Sequence, residues 1–281
     1  MSTLVQPVSR FLDVNSLRLH HLDWGNPDGP PLVCVHGLLS TAHNFDGLAR
    51  HLQDRFHIIA TDVRGRGDSA WSPDGCYSYD DYLADLEGIV DALGLDRFTL
   101  VGTSMGGIIA MHYAATHPDR LERLVINDIG PDPEPGSDRI TGSTAVFLES
   151  FPDFDAALAR LREVFPPRAT LSETEQRALA LAQLRPEPDG RWVSKMDPAI
   201  VHQRLAGGSP PRPPLWPALA RLSCPTLVVW GTVSDVLSEA QARRMVEVLP
   251  AGRLAPVPGV GHAPTLTEPA ALAALDAFLK G

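Results

Sequence analysis

The stretch "FTLVGTSMGGIIAMHYAATHP", residues 98–118, decides the fold. It opens as an apolar, strand-like run and closes as a helix-like run that stops ahead of Pro118. Between them a polar residue, Ser104, stands among Gly102, Gly106 and Gly107. Glycine tolerates backbone angles and close approaches that a Cβ forbids. A serine framed in this way marks a sharp strand-to-helix turn that thrusts its hydroxyl out at the carboxyl end of the strand.

Outward from this turn, short β-rich runs alternate with helical patterns. "RFLDV" and "LRLHHLDWG" flank the turn residues Asn15 and Ser16 and read as an antiparallel hairpin. "PLVCVHG", "FHIIATDVRG", "RLVINDIG", "PTLVVWG" and "RLAPVPGVGH" read as further strands. "NFDGLARHLQD", "YSYDDYLADLEGIVDALGL", "SEAQARRMVEVLP" and "EPAALAALDAFLKG" carry apolar residues at helical spacing. The alternation predicts an α/β fold: a mostly parallel eight-stranded sheet with an antiparallel N-terminal hairpin and helices on both faces.

Residues 131–217 break this rhythm. Proline-rich "GPDPEPGSD" and "GGSPPRPPLWP" bound the segment, and proline continues neither a helix nor a central strand. "TAVFLESF", "DAALARLREVF", "SETEQRALALAQL" and "DPAIVHQRLA" between them read as helices. The expected organisation is a core of residues 1–130 and 218–281, interrupted by a helical lid insertion over 131–217.

Composition narrows the function. A 281-residue chain with 44% hydrophobic and 21% charged residues matches an ordinary globular protein. A formal charge of −10 argues against nucleic acid and anionic lipid as partners. The N-terminus shows no basic segment leading into an apolar one, and no run approaches the length of a membrane span. Cys34, Cys76 and Cys224 form no CxxC pair, and Cys34 reads as a small buried apolar residue. These features point to the cytoplasm. No group of His, Cys and carboxylates has metal-ligand spacing, so neither a metal nor an organic cofactor is expected.

A serine hydroxyl is a poor nucleophile and needs a base. Among ten histidines, His262 in "VPGVGHAPTLTEP" stands on a glycine-flanked loop beyond the last strand, where its ring can be aimed. The base in turn needs an acid to orient it. Asp235, in "VVWGTVSDVLS" after the seventh strand, is assigned that role. Its rival is Asp128 in "VINDIG" after the sixth, read as a structural carboxylate.

Together these motifs resemble the α/β-hydrolase superfamily of esterases and lipases: "HGLL" after the third strand, "DVRGRGDSA" after the fourth, "GTSMGG" after the fifth, "GTVSDVLS" after the seventh and "GHAP" after the eighth. The resemblance covers nearly the whole chain, with only the insertion lacking a motif. It implies oxyanion-hole amides at Leu38 and Met105, and a His36 that braces its loop. It also implies that Asp68 belongs to a structural loop which Arg64 and Arg66 brace. The implied activity is hydrolysis of a small-molecule carboxylic ester through an acyl-enzyme. The low aromatic content and the lack of an amphipathic docking segment favour short acyl chains over long-chain lipids. Lactone hydrolysis, carbon–carbon bond hydrolysis and acyl transfer use the same triad and stay open.

Overall fold

The computed structural model describes residues 6–165, 171–207 and 210–280. Residues 1–5, part of the stretch read for a leader, lie outside it, as do 166–170 and 208–209 of the segment read as an insertion. A hairpin of β1 (Val8–Val14) and β2 (Leu17–Asp23) opens the chain. Its two-residue turn places Asn15 and Ser16 at positive φ, the geometry that matches the twist of paired strands. Strands β3 (Pro31–Val35), β4 (His57–Thr61), β5 (Phe98–Thr103), β6 (Leu121–Asn127), β10 (Thr226–Gly231) and β11 (Gly252–Val257) complete an eight-stranded sheet of order β1-β2-β4-β3-β5-β6-β10-β11. From β4 to β11 all pairings are parallel.

Side-chain alternation along the central strands feeds two apolar layers. Leu100, Leu124 and Val228 pack with α2 (Tyr79–Ala92), α3 (Met105–Thr116) and α9 (Glu239–Val248). Val101, Val125 and Val229 point the other way, onto α1 (Asp46–Leu52) and α10 (Pro269–Leu279). Both faces are therefore covered, as a parallel sheet requires. Among the described residues, no helix is long and apolar enough to cross a membrane.

Between β6 and β10, which are neighbours in the sheet, the chain makes a long excursion. It builds α4 (Gly136–Ser143), α5 (Phe154–Val164), α6 (Glu173–Gln183), α7 (Pro198–Gly207) and α8 (Leu215–Leu219). The sequence reading of this segment as purely helical needs correction. "TAVFLESF" forms a 3₁₀ turn at Thr144–Leu148 and then β7 (Ser150–Phe151). With β8 (Leu184–Pro186) and β9 (Trp192–Ser194) it makes a three-stranded antiparallel sheet of order β7-β9-β8. The cause is a hairpin at "EPDGR", where Gly190 takes φ 84° and Glu187 and Arg191 bond across the turn.

The turn from β5 to α3 depends on backbone packed against backbone. A Cβ on Gly102 would collide with the Gly106 carbonyl, and one on Gly106 with the carbonyl of Val35 in β3. Replacing Gly106 by Ala forces one of these elements to move. We expect a loss of stability of about 3 kcal/mol, at the upper end for overpacking. Thermal unfolding should show Tm lowered by about 6–10 °C, the shift that loss implies for a domain of this size.

Candidate active site

Ser104 sits at that turn with φ 54° and ψ −119°, left-handed backbone that a non-glycine residue adopts only when its surroundings impose it. Its amide donates to the Asn127 carbonyl of β6 (3.0 Å), and its own carbonyl caps α3 by accepting from Gly107 (2.8 Å). The hydroxyl is left at the carboxyl end of the sheet, where His262 reaches it: Nε2 lies 2.8 Å from Ser104 Oγ. The His262 loop is pinned from several sides. Asn127, fully buried, donates to the Pro264 carbonyl (2.9 Å), and Thr232 Oγ1 accepts from the Gly259 amide (2.9 Å).

The acid facing His262 is Asp128, not Asp235. Asp128 Oδ2 stands 2.9 Å from His262 Nδ1. Its other bonds come from the Gly231 amide to Oδ1 (2.8 Å) and the Ser234 hydroxyl to Oδ2 (2.7 Å). The carboxylate is wholly buried. A carboxylate only accepts, so Nδ1 carries the imidazole proton and Nε2 is free to accept from the serine hydroxyl. Asp235 belongs elsewhere. Its side chain is 43% exposed and forms a two-pronged ion pair with Arg139 of α4 (2.7 and 3.0 Å). The Arg139 guanidinium holds the Asp235 carboxyl below the usual range. The physical reason is reach: Asp128 directly follows β6, beside β5 and Ser104. Asp235 lies four residues beyond the end of β10, on a loop that carries it out to solvent and to Arg139.

Leu38 and Met105 flank the serine as the sequence reading expects of an oxyanion site. Met105 begins α3, whose first-turn N–H groups lack intrahelical acceptors. Leu38 follows Gly37, whose added Cβ would stand 3.3 Å from the Ser104 Cβ. Buried Arg66 holds both residues in register. Its Nε donates to the Leu38 carbonyl (3.4 Å), its Nη2 lies 3.6 Å from the Met105 sulfur, and its Nη1 bonds Tyr82 Oη (2.9 Å). Arg64 is clamped on Asp85 (2.5 and 2.6 Å). His36 donates Nδ1–H to the Gly37 carbonyl (2.7 Å) and accepts the Val63 amide on Nε2 (3.0 Å). Complete burial pushes its pKa down to about 4, so it braces this loop as a neutral ring.

Asp68 pairs with Lys195 (2.7 Å), away from the serine. The buried acid of that loop is Asp62, which accepts from His20 Nδ1 (2.7 Å), the Ala42 amide (2.7 Å) and the Asp68 amide (2.9 Å). His20, Asp62 and Asp68 bring one ligand atom each within 4.8 Å of one another. Asp62 Oδ2 accepts from His20 and the Asp68 amide and Oδ1 from the Ala42 amide, and these hydrogen bonds draw the three residues together. Sequence reasoning placed Arg66 as a brace of its own loop but not its reach to Leu38 and Met105, and it missed Asn127 and Ser234. "VINDIG" offered Asn127 beside Asp128, but nothing in its spacing ties it to the histidine loop.

A cavity of about 240 Å³ opens over Ser104 and His262. Leu158, Leu161, Phe165, Leu171 and Leu179, all from the segment between β6 and β10, form its apolar wall.

A family model described as the alpha/beta hydrolase fold matches residues 30–269, and the chain belongs to that family. It is 31% identical over 276 residues to a 3-hydroxybutyrate-oligomer hydrolase of Cupriavidus necator, covering 94% of this chain and 93% of that protein. Among solved structures, an alpha/beta hydrolase from Novosphingobium aromaticivorans superposes with a TM-score of 0.84 at 34% identity over 99% of both chains. E-2-(acetamidomethylene)succinate hydrolase gives 0.86 at 28% identity, over 98% of this chain and 100% of the other. The chain is a hydrolase by this kinship.

Two outcomes follow from the geometry. Asp128→Asn should lower kcat by up to about 10⁴-fold, because an amide there disturbs the histidine tautomer. Asp235→Asn removes only an exposed ion pair and should stay within a few-fold of the parent, with stability changed by less than about 1 kcal/mol. Steady-state kinetics on both variants decide between the two acids. The second outcome concerns pH. His36 resists protonation in the folded protein down to about 4, whereas the unfolded chain takes a proton near 6.5. Its contribution to stability is thus present above pH 6.5 and is lost as pH falls toward 4, at up to about 1.4 kcal/mol per unit. Urea unfolding at pH 7, 5.5 and 4.5 should show this slope, and His36→Gln should flatten it.

Proposed function

We propose that the protein is a serine hydrolase acting on carboxylic esters of small to medium size, with Ser104 as nucleophile, His262 as general base and Asp128 as the orienting acid. One observation carries this reading: the unbroken series Asp128 Oδ2, His262 Nδ1 and Nε2, Ser104 Oγ, joined at 2.9 and 2.8 Å beneath an apolar cavity. Ser104 attacks the ester carbonyl as His262 takes its proton. The amides of Leu38 and Met105 receive the oxyanion. His262 then protonates the departing alcohol, leaving an acyl-enzyme, and activates the water that releases the acid.

The size preference has a physical basis. A cavity of about 240 Å³ falls below the range of about 300–1,000 Å³ common for drug-sized ligands, so a short chain fits better than a long lipid tail. Residues 131–217 serve as the lid in this reading, because their side chains supply most of that wall. The relative named for 3-hydroxybutyrate oligomers supports an ester as the bond attacked. Three unpaired cysteines are consistent with a reducing compartment such as the cytoplasm.

The test is a Ser104→Ala variant with unchanged far-ultraviolet circular dichroism. Turnover of p-nitrophenyl butyrate should fall by about 10³-fold or more. The mass adduct of a fluorophosphonate probe, present on the parent protein, should disappear. A variant that still turned the ester over at the parental rate would overturn the assignment.

A further inference from the structure

A second, smaller cavity meets the first at the serine: Leu38, Ser104 and Ile140 line both. The two differ in chemistry. The larger is lined by six leucines with Ile140 and Phe165, and Arg139 and Arg162 also border it; the smaller, about 40 Å³, carries Tyr79, Arg204 and Arg212 beside Met105. Arg204 comes from α7 and Arg212 from the loop ahead of α8, so both are brought over Ser104 by the segment between β6 and β10.

Neither arginine lies on an open surface. Arg204 is 7% exposed and bonds the Tyr79 hydroxyl, itself buried. Arg212 donates Nη1 to the Gly130 carbonyl (2.8 Å) and to that of Pro131 (3.3 Å), and makes no ion pair among the described residues. The charged and titratable groups acting on Arg204 are Tyr79, Tyr82 and Arg66, while Tyr79, Arg204 and Asp132 act on Arg212. Asp132 is more than half exposed and faces Arg244 at 3.8 Å. Burial lowers the pKa of both guanidinium groups, and Arg204 lowers that of Arg212 further. Two cations are thus held against dehydration and mutual repulsion next to the nucleophile. An anion arriving there relieves both penalties.

We propose that this small lobe receives a carboxylate of the substrate, so that the preferred ester bears a negative charge a few atoms from its scissile carbonyl. The proposal rests on the ester-hydrolase reading of Ser104. The space matches: about 40 Å³ holds about three or four waters at about 10–15 Å³ each, room for one carboxylate group. The donors match too, since guanidinium forks fit a planar two-oxygen anion. The charge belongs to the acyl part or to the alcohol part, and the experiment separates the two.

Rates of acid release are measured for two isosteric pairs. Monoethyl succinate against ethyl 4-methylpentanoate places the charge on the acyl side. 3-(Acetyloxy)propanoate against isopentyl acetate places it on the alcohol side. In the parent protein one pair should show kcat/KM at least about tenfold higher for the anionic ester. That pair identifies the side. In Arg204→Met and Arg212→Gln the anionic-to-neutral ratio should drop by about tenfold or more, the loss expected for a charge-assisted hydrogen bond. Taking the ratio within each variant cancels any general loss of folded enzyme, and Arg212, which is less buried than Arg204, keeps the test open should Arg204→Met not fold. Neutral esters turned over with no anionic preference in either pair, or a ratio unmoved in both variants, would overturn the carboxylate lobe and leave the ester-hydrolase reading standing. No turnover of any of the four would sink that reading, and the lobe with it.

Discussion

The contact on which the rest depends is the approach of the first turn of α3 to the end of β3. Gly106 lies against the Val35 carbonyl, and Gly102 against Gly106 itself. Because nothing larger than hydrogen fits between them, Ser104 is forced to positive φ and its side chain leaves the turn toward solvent. The same closeness brings Gly37 against Ser104 and so sets Leu38 beside Met105. On the other side, the Ser104 amide holds the end of β6, whose next residue is Asp128. Ser104, the backbone of Leu38 and Met105, and Asp128 are thus placed by one backbone junction.

Around that junction each of these buried polar groups has its own local partners: Arg64 meets Asp85, His20 meets Asp62, and Arg66 spends its donors on carbonyl, hydroxyl and sulfur acceptors. A buried ion left without partners is unstable, so each such pairing fixes the loop that carries it. Arg204 and Arg212 come from the inserted segment, and both line the small lobe beside Ser104.

The sheet, its hairpin and the serine turn were legible in the sequence, because period and glycine spacing are local signals. So was the loop after the last strand whose His262 the structure brings to the Ser104 hydroxyl. Which aspartate faces that ring was not. Asp128 and Asp235 follow neighbouring parallel strands, and a sequence shows neither which loop turns inward nor that Arg139, 96 residues away, draws Asp235 outward. The deciding signals were non-local: an amide at Gly231 and a hydroxyl at Ser234 converge on Asp128. The small sheet of the insertion was missed for a different reason. Its strands are two or three residues long, too short for alternation to register, although the Asp189-Gly190 turn signal was present.

Arg212 bonds the carbonyls of Gly130 and Pro131, so the point where the chain leaves the sheet and the point where it comes back are tied together. The excursion is therefore a closed handle on a neck two strands wide. Material can be exchanged within the handle without altering the spacing of β6 and β10. The limit on that freedom is the neck: Asp128 stands three residues before Pro131, so a change that reshapes the junction reaches the histidine as well.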